Sequence, residues 1–146
     1  MLSKESRELI LLTHSLIRMS IIHCGYIEAM RQISTTICSI YQIDRRKLSM
    51  KKRDIVSALE DIIRQDTNGQ VVASCISIAA TAHVLLYMMG VSSKIVIGVR
   101  LIDKKILSHS WVEITSDEII NFQFDNIEYK PIRKFDLDSF LLEVGE

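Results

Sequence analysis

An α+β fold, helices first and an antiparallel meander after them, is what the order of hydrophobic patterns along the chain predicts. Up to about residue 89 the apolar residues recur at helical spacing; from residue 94 the runs become β-branched and alternating. The polar triplets Asp103-Lys104-Lys105 and Thr115-Ser116-Asp117 separate those extended runs, where hairpin turns belong. A length of 146 residues fits one domain, with residues 1–50 as N-terminal helices and 51–146 as the core.

The elements follow in order. Residues 3–23 form a first helix, with Gly25 as the breaker. Its apolar stretch, residues 9–22, is shorter than the ~20 residues a bilayer needs, and Thr13, His14, Ser15 and Arg18 interrupt it. It reads as a buried helix, with an amphipathic partner-docking helix as the alternative, and no membrane insertion is expected. A second helix spans about residues 26–43, and a third about residues 52–65, with Ile55, Leu59, Ile62 and Ile63 on one face. Between them, residues 44–53 hold six basic residues in ten. They suit a solvated loop or, alternatively, a contact surface for an acidic peptide. Residues 66–70 are a loop by composition. The fourth helix, residues 75–89, is opened by Ser74 as N-cap and closed by Gly90 as the C′ residue. Strands are expected at 94–100, 108–114 and 118–124. Pro131 falls after them, and residues 135–144 suit a short closing strand or helix.

Composition narrows function. Eighteen Lys plus Arg balance eighteen Asp plus Glu, so the excess cationic surface of a nucleic-acid binder is missing and no nucleic-acid partner is expected. Three cysteines, an odd number without a secretion signal, point to a reducing, cytoplasmic setting. Cys24 and Cys38 sit inside apolar helical patterns, where a small buried hydrophobe is the usual role. His14 and His23 have no partner at a useful spacing, and His83 lies too far along its helix from Cys75 to reach it. With no CxxC, HExxH or phosphate loop, neither metal nor cofactor is expected.

Cys75 and His109 stand apart. Cys75 opens a helix, where unpaired N–H groups and the positive end of the helix dipole lower a thiol pKa and can face an oxyanion. His109 lies on a strand that places His109, Trp111 and Glu113 on one face and Ser110, Val112 and Ile114 on the other. A thiol at a helix start and a base on a strand follow the logic of a cysteine hydrolase; a buried Cys beside an unrelated His is the plain alternative.

The ordered combination of Ser74-Cys75-Ile-Ser-Ile-Ala-Ala-Thr-Ala-His-Val-Leu-Leu-Tyr-Met-Met-Gly90-Val, Ile95-Val-Ile-Gly-Val-Arg100 and Ser108-His109-Ser-Trp111-Val-Glu113 resembles the transglutaminase-like peptidases of lasso-peptide biosynthesis. Their pattern is a Cys opening a helix, a Gly ending it, an (I/V)GV strand and an HAWVE strand. The likeness spans roughly residues 55–121. It implies N-terminal helices packed on a small antiparallel sheet, a transglutaminase-like or papain-like cysteine peptidase core, and removal of the leader from a ribosomally made precursor. Implied partners are the precursor leader peptide, a separate leader-binding protein of winged-helix type and an ATP-dependent lasso cyclase; the chain resembles the stand-alone peptidase half. The family places an Asp about a dozen residues after its His. Here Asn121 holds that position and Asp125 is the nearest later acid. Asn121 shares a strand face with Gln123 and Asp125 and sits one diagonal step from His109 if the hairpin register allows. Asn121 is therefore the expected third residue, with Asp125 as its alternative. An Asn can accept the imidazole N–H, as in papain-like Cys-His-Asn sites, but cannot balance an imidazolium by charge. That departure leaves open a non-catalytic precursor-binding module with the same fold. Acyl transfer to an amine, as in true transglutaminases, is a further reading.

Overall fold

A computed structural model describes residues 3–43, 49–67, 74–114, 118–122 and 128–136. Helix α1 (Lys4–Cys24) starts at Ser3, whose side chain accepts from the Ser6 amide at 3.1 Å, the standard relief for an unpaired N–H of a first turn. Helices α2 (Tyr26–Ile43) and α3 (Lys52–Thr67) follow. The expected loop therefore loses Asp66 and Thr67 to α3, and residues 68–70 lie outside the described residues. So do residues 44–48 of the basic run; Lys51 and Arg53 are exposed at the start of α3.

Helix α4 (Cys75–Met88) is apolar nearly all round, and every residue from Ser77 to Leu86 is buried. Ala79, Ala80 and Ala82 have side chains small enough to let α1, α3 and the sheet close in on it. It ends as the sequence predicts. Gly90 takes a φ of 82°, the Gly90 amide bonds to Tyr87 O at 2.9 Å and the Val91 amide to Leu86 O at 2.8 Å. Those two bonds close a Schellman motif, which needs the left-handed residue that glycine supplies without strain.

The sheet contains β1 (Lys94–Ile102), β2 (Lys105–Glu113), β3 (Ile119–Ile120) and β4 (Lys130–Phe135), in the order β3-β2-β1-β4. All pairings are antiparallel. Val112 pairs with both Ile95 and Ile120, and Ile95 also pairs with Phe135. All four side chains are buried in one core with Ile10, Ile17, Leu59, Ile62 and Leu85 from the helices. One sheet face thus packs on the helices, the arrangement of helices on a small antiparallel sheet read from the sequence.

Four expectations change. The strands β1 and β2 are longer than predicted, because Ile102 pairs with Lys105 and the turn contracts to Asp103 and Lys104. Both have positive φ, 51° and 64°, as a two-residue hairpin turn demands. The third strand is only Ile119–Ile120, with Asn121 and Phe122 continuing outside it; residues 115–117 and 123–127 lie outside the described residues. Pro131, expected beyond the strands, lies within β4, an edge strand whose register slips between Ile97 and Gly98. Edges and bulges are where a strand tolerates the missing proline N–H; of the closing element expected at residues 135–144, Phe135 is instead the last residue of β4, and residues 137–144 lie outside the described residues. Finally, α1 is not buried all round: Ile10, His14 and Ile17 face inward, while Leu12, Leu16, Met19 and Ile22 are more than half exposed. No described helix is long and apolar enough to cross a membrane.

Candidate active site

The site grows from the start of α4. Ser74 accepts from the Ser77 amide at 3.2 Å and its own amide donates to Ser77 Oγ at 2.9 Å, a reciprocal capping box made with a serine at the third position. Helix α1 anchors this box from behind. His14 Nε2 lies 3.1 Å from Ser77 Oγ, and Arg18 Nη1 donates to Ser74 Oγ at 3.4 Å. Cys75, the residue between these two serines and the next turn, is exposed. Reading helix spacing alone leaves His14 without a partner; the partner comes from 63 residues away, across a helix packing that no local pattern encodes.

The strand β2 supplies the second group. His109 hydrogen-bonds to the Cys75 side chain, and that contact is the largest cause pulling the thiol below its ordinary pKa. Partial burial opposes the shift, and the Ser110 backbone amide and side chain add to the lowering. The thiolate form is favoured because an amide faces the sulfur and the ring, once it has taken the thiol proton, donates back to it.

The third group is Asn121, just past β3. His109 Nε2 lies 2.6 Å from Asn121 Oδ1. An amide oxygen only accepts, so this contact places the proton on Nε2 and leaves the lone pair of a neutral ring on Nδ1, the nitrogen left to take a thiol proton. The hairpin register explains the encounter. Val112 pairs with Ile120, which sets Asn121 beside Trp111, one diagonal step from His109. Cys75, His109 and Asn121 are thus brought together; Asp125 lies outside the described residues.

The ring of His109 is also held from its sides. Trp111 stacks on it at a centroid distance of 6.0 Å and 26° between planes, and Tyr129 lies at 5.4 Å and 37°. Gly98, the residue paired with His109 across the hairpin, makes this possible. A β-carbon there would meet Trp111 Cη2 at 2.7 Å and Tyr129 Cβ at 2.9 Å. The sequence flags Gly98 only as part of the IGV strand. A glycine inside a β-branched run is the general signal of such close approach, whereas Tyr129 follows from nothing local. The remaining candidates stand apart from this cluster. Cys24 is exposed, against the expectation of burial: it continues the stripe of Ile10, His14 and Ile17, but as the last residue of α1. The side chain of Cys38 lies outside the described residues. His23 is exposed, and His83 is buried within the core. Among the described residues, no group of three or more His, Cys, Asp or Glu side chains is placed to hold a metal ion.

A protein-family profile described as the transglutaminase-like superfamily matches residues 32–134, and the chain belongs to that superfamily. No curated protein and no solved structure matches the chain.

Proposed function

We propose that this member of the transglutaminase-like superfamily is a cysteine peptidase that cleaves the leader from a ribosomally made lasso-peptide precursor. The observation that carries the peptidase part is a single imidazole hydrogen-bonded on one side to the Cys75 thiol and on the other to Asn121 Oδ1. The leader specificity is supported by the sequence resemblance.

In this mechanism the Cys75 thiol passes its proton to His109 and the sulfur attacks the scissile carbonyl. A C–S bond forms and the carbonyl oxygen becomes an oxyanion, facing the Cys75 amide at the helix start. As the tetrahedral species collapses, His109 gives the proton to the departing amine, the C–N bond breaks and the core peptide leaves. The leader remains as a thioester until water, deprotonated by His109, releases it as a free acid. Asn121 keeps the proton on Nε2 throughout, and Trp111 and Tyr129 fix the ring plane. Catalysis takes place in the cytoplasm, with a winged-helix leader-binding protein delivering the precursor and an ATP-dependent cyclase closing the ring on the new amine.

The test is mass spectrometry of a candidate precursor incubated with the chain, with and without the leader-binding protein. Leader and core fragments that vanish with Cys75→Ala are expected. Binding of the precursor without cleavage, in the presence of the partner, would contradict this reading and leave a non-catalytic module.

A further inference from the structure

The hairpin that carries His109 extends beyond the other described strands of the sheet. The strand β4 pairs with β1 only as far as Val99, and β3 pairs with β2 only at Val112 and Glu113. The far ends of β1 and β2, residues 100–107, therefore form a two-stranded ribbon flanked by no other described strand. Its exposed side chains are of two kinds. Leu101, Ile106 and Leu107 are apolar; Arg100, Lys104 and Lys105 are cationic, against Asp103 as the ribbon's one acid. Lys130, paired with Val99 at the ribbon's base, adds a further cation, and Glu128 a further acid.

The outer edge of β2 runs from this ribbon straight to the site. The Ile114 amide bonds to Glu118 O at 2.8 Å, so in the β2–β3 ladder the residues whose N–H and C=O point outward are 114, 112 and, by alternation, 110, 108 and 106. The Ser110 amide, on that edge, meets the Cys75 sulfur. Ser108 and Ile106 continue the same row, and no described strand pairs with them.

We infer that the ribbon is a substrate-recognition arm: an extended peptide adds to the outer edge of β2 along Ile106 and Ser108, its scissile carbonyl at Cys75 and acidic side chains over Lys104 and Lys105. This rests on the peptidase reading and deepens it by stating the substrate's chemistry. Strand addition satisfies the edge groups, while Leu107, on the His109 face, and Ile106, on the other, give apolar contact to alternate side chains. From Ser110 to Lys105 is five residues, about 17 Å of strand, so the acidic positions fall about five and six residues from the scissile bond. With the peptide running parallel to β2 they lie on its N-terminal side, the segment that stays bound to Cys75 through both halves of the reaction.

The probes are two peptidyl chloromethyl ketones of one sequence, bearing either Glu-Glu or Lys-Lys at the fifth and sixth residues back from the ketone. Alkylation of Cys75 is followed by mass spectrometry in the wild-type chain and in the Lys104→Glu/Lys105→Glu variant, with iodoacetamide as a reference reagent that has no tail. The acidic probe is expected to react about fivefold faster than the basic one with wild type at low salt, as two exposed ion pairs allow. The preference reverses in the variant and shrinks at high salt, while the iodoacetamide rate is the same in both proteins. Equal rates for the two tails, with iodoacetamide still labelling Cys75, overturn the arm and leave the peptidase reading standing. Failure of all three reagents to label Cys75 overturns both.

Discussion

His109 and His83 are the same side chain in two solvents. His109 sits half-buried at the end of a sheet edge, bonded to a thiol and an amide. His83 is 2% exposed in the middle of α4, its Nδ1 2.7 Å from Ser93 Oγ. Burial drives the His83 pKa down to about 4, with the Asp136 charge partly opposing, so this ring is neutral at neutral pH. A ring that cannot easily charge is of no use for proton transfer, but it packs. The contrast teaches that the element around a histidine, rather than its chemistry or its distance in sequence from Cys75, decides whether it is placed to exchange a proton with that thiol.

The largest effect expected from breaking this contrast is catalytic. Cys75→Ala abolishes precursor cleavage, and His109→Ala lowers kcat by on the order of 10⁴ by analogy with hydrolase triads. Thermal melting should leave both variants close to wild type, because neither residue belongs to the apolar core. His83 inverts the pattern by acting on stability. Its folded pKa of about 4 lies below the ordinary 6.5, so the unfolded chain binds the proton more readily. The associated stability is complete above pH 6.5 and is lost as pH falls toward 4. The loss amounts to roughly 3 kcal/mol. Urea titrations between pH 7 and pH 4 should show this slope, flattened in His83→Gln.

A smaller effect sharpens the His109 side of the comparison. Asn121→Ala should lower kcat by about 10² with little change in KM, since the contact matters most as the ring charges. Asn121→Asp should keep or raise activity, and Asp125→Asn should be mild. If Asp125→Asn is instead the costly change in steady-state kinetics, Asn121 is not the orienting group. The smallest effect comes from the support of the ring. Gly98→Ala must push Trp111 and Tyr129 aside, costing about 1–3 kcal/mol of stability and about tenfold in kcat, read from melting and steady-state kinetics together.

The same contrast marks what the sequence discloses. Ser74, Cys75 and Gly90 are legible because capping chemistry is local, and the alternation of β2 places His109 and Trp111 on one face before any fold is known. Asn121 is legible as well, since a hairpin ties its position to a register set by nearby residues. His14 under Ser77, Tyr129 beside His109 and β4 against β1 are not. Each depends on elements that meet through the tertiary fold with no tight turn between them, and Pro131 disguises β4 by breaking the strand pattern at its edge. The apolar face of α1 misleads for the same reason, as periodicity marks an apolar stripe without saying which side of it the core covers.

The most direct test is the pH dependence of iodoacetamide alkylation, followed residue by residue by mass spectrometry in the wild type and in His109→Ala. Cys75 should react ahead of Cys24 and Cys38 at mildly acidic pH, and loss of His109 should move its reactivity to higher pH. Equal labelling of the three cysteines at every pH, with or without His109, would contradict both.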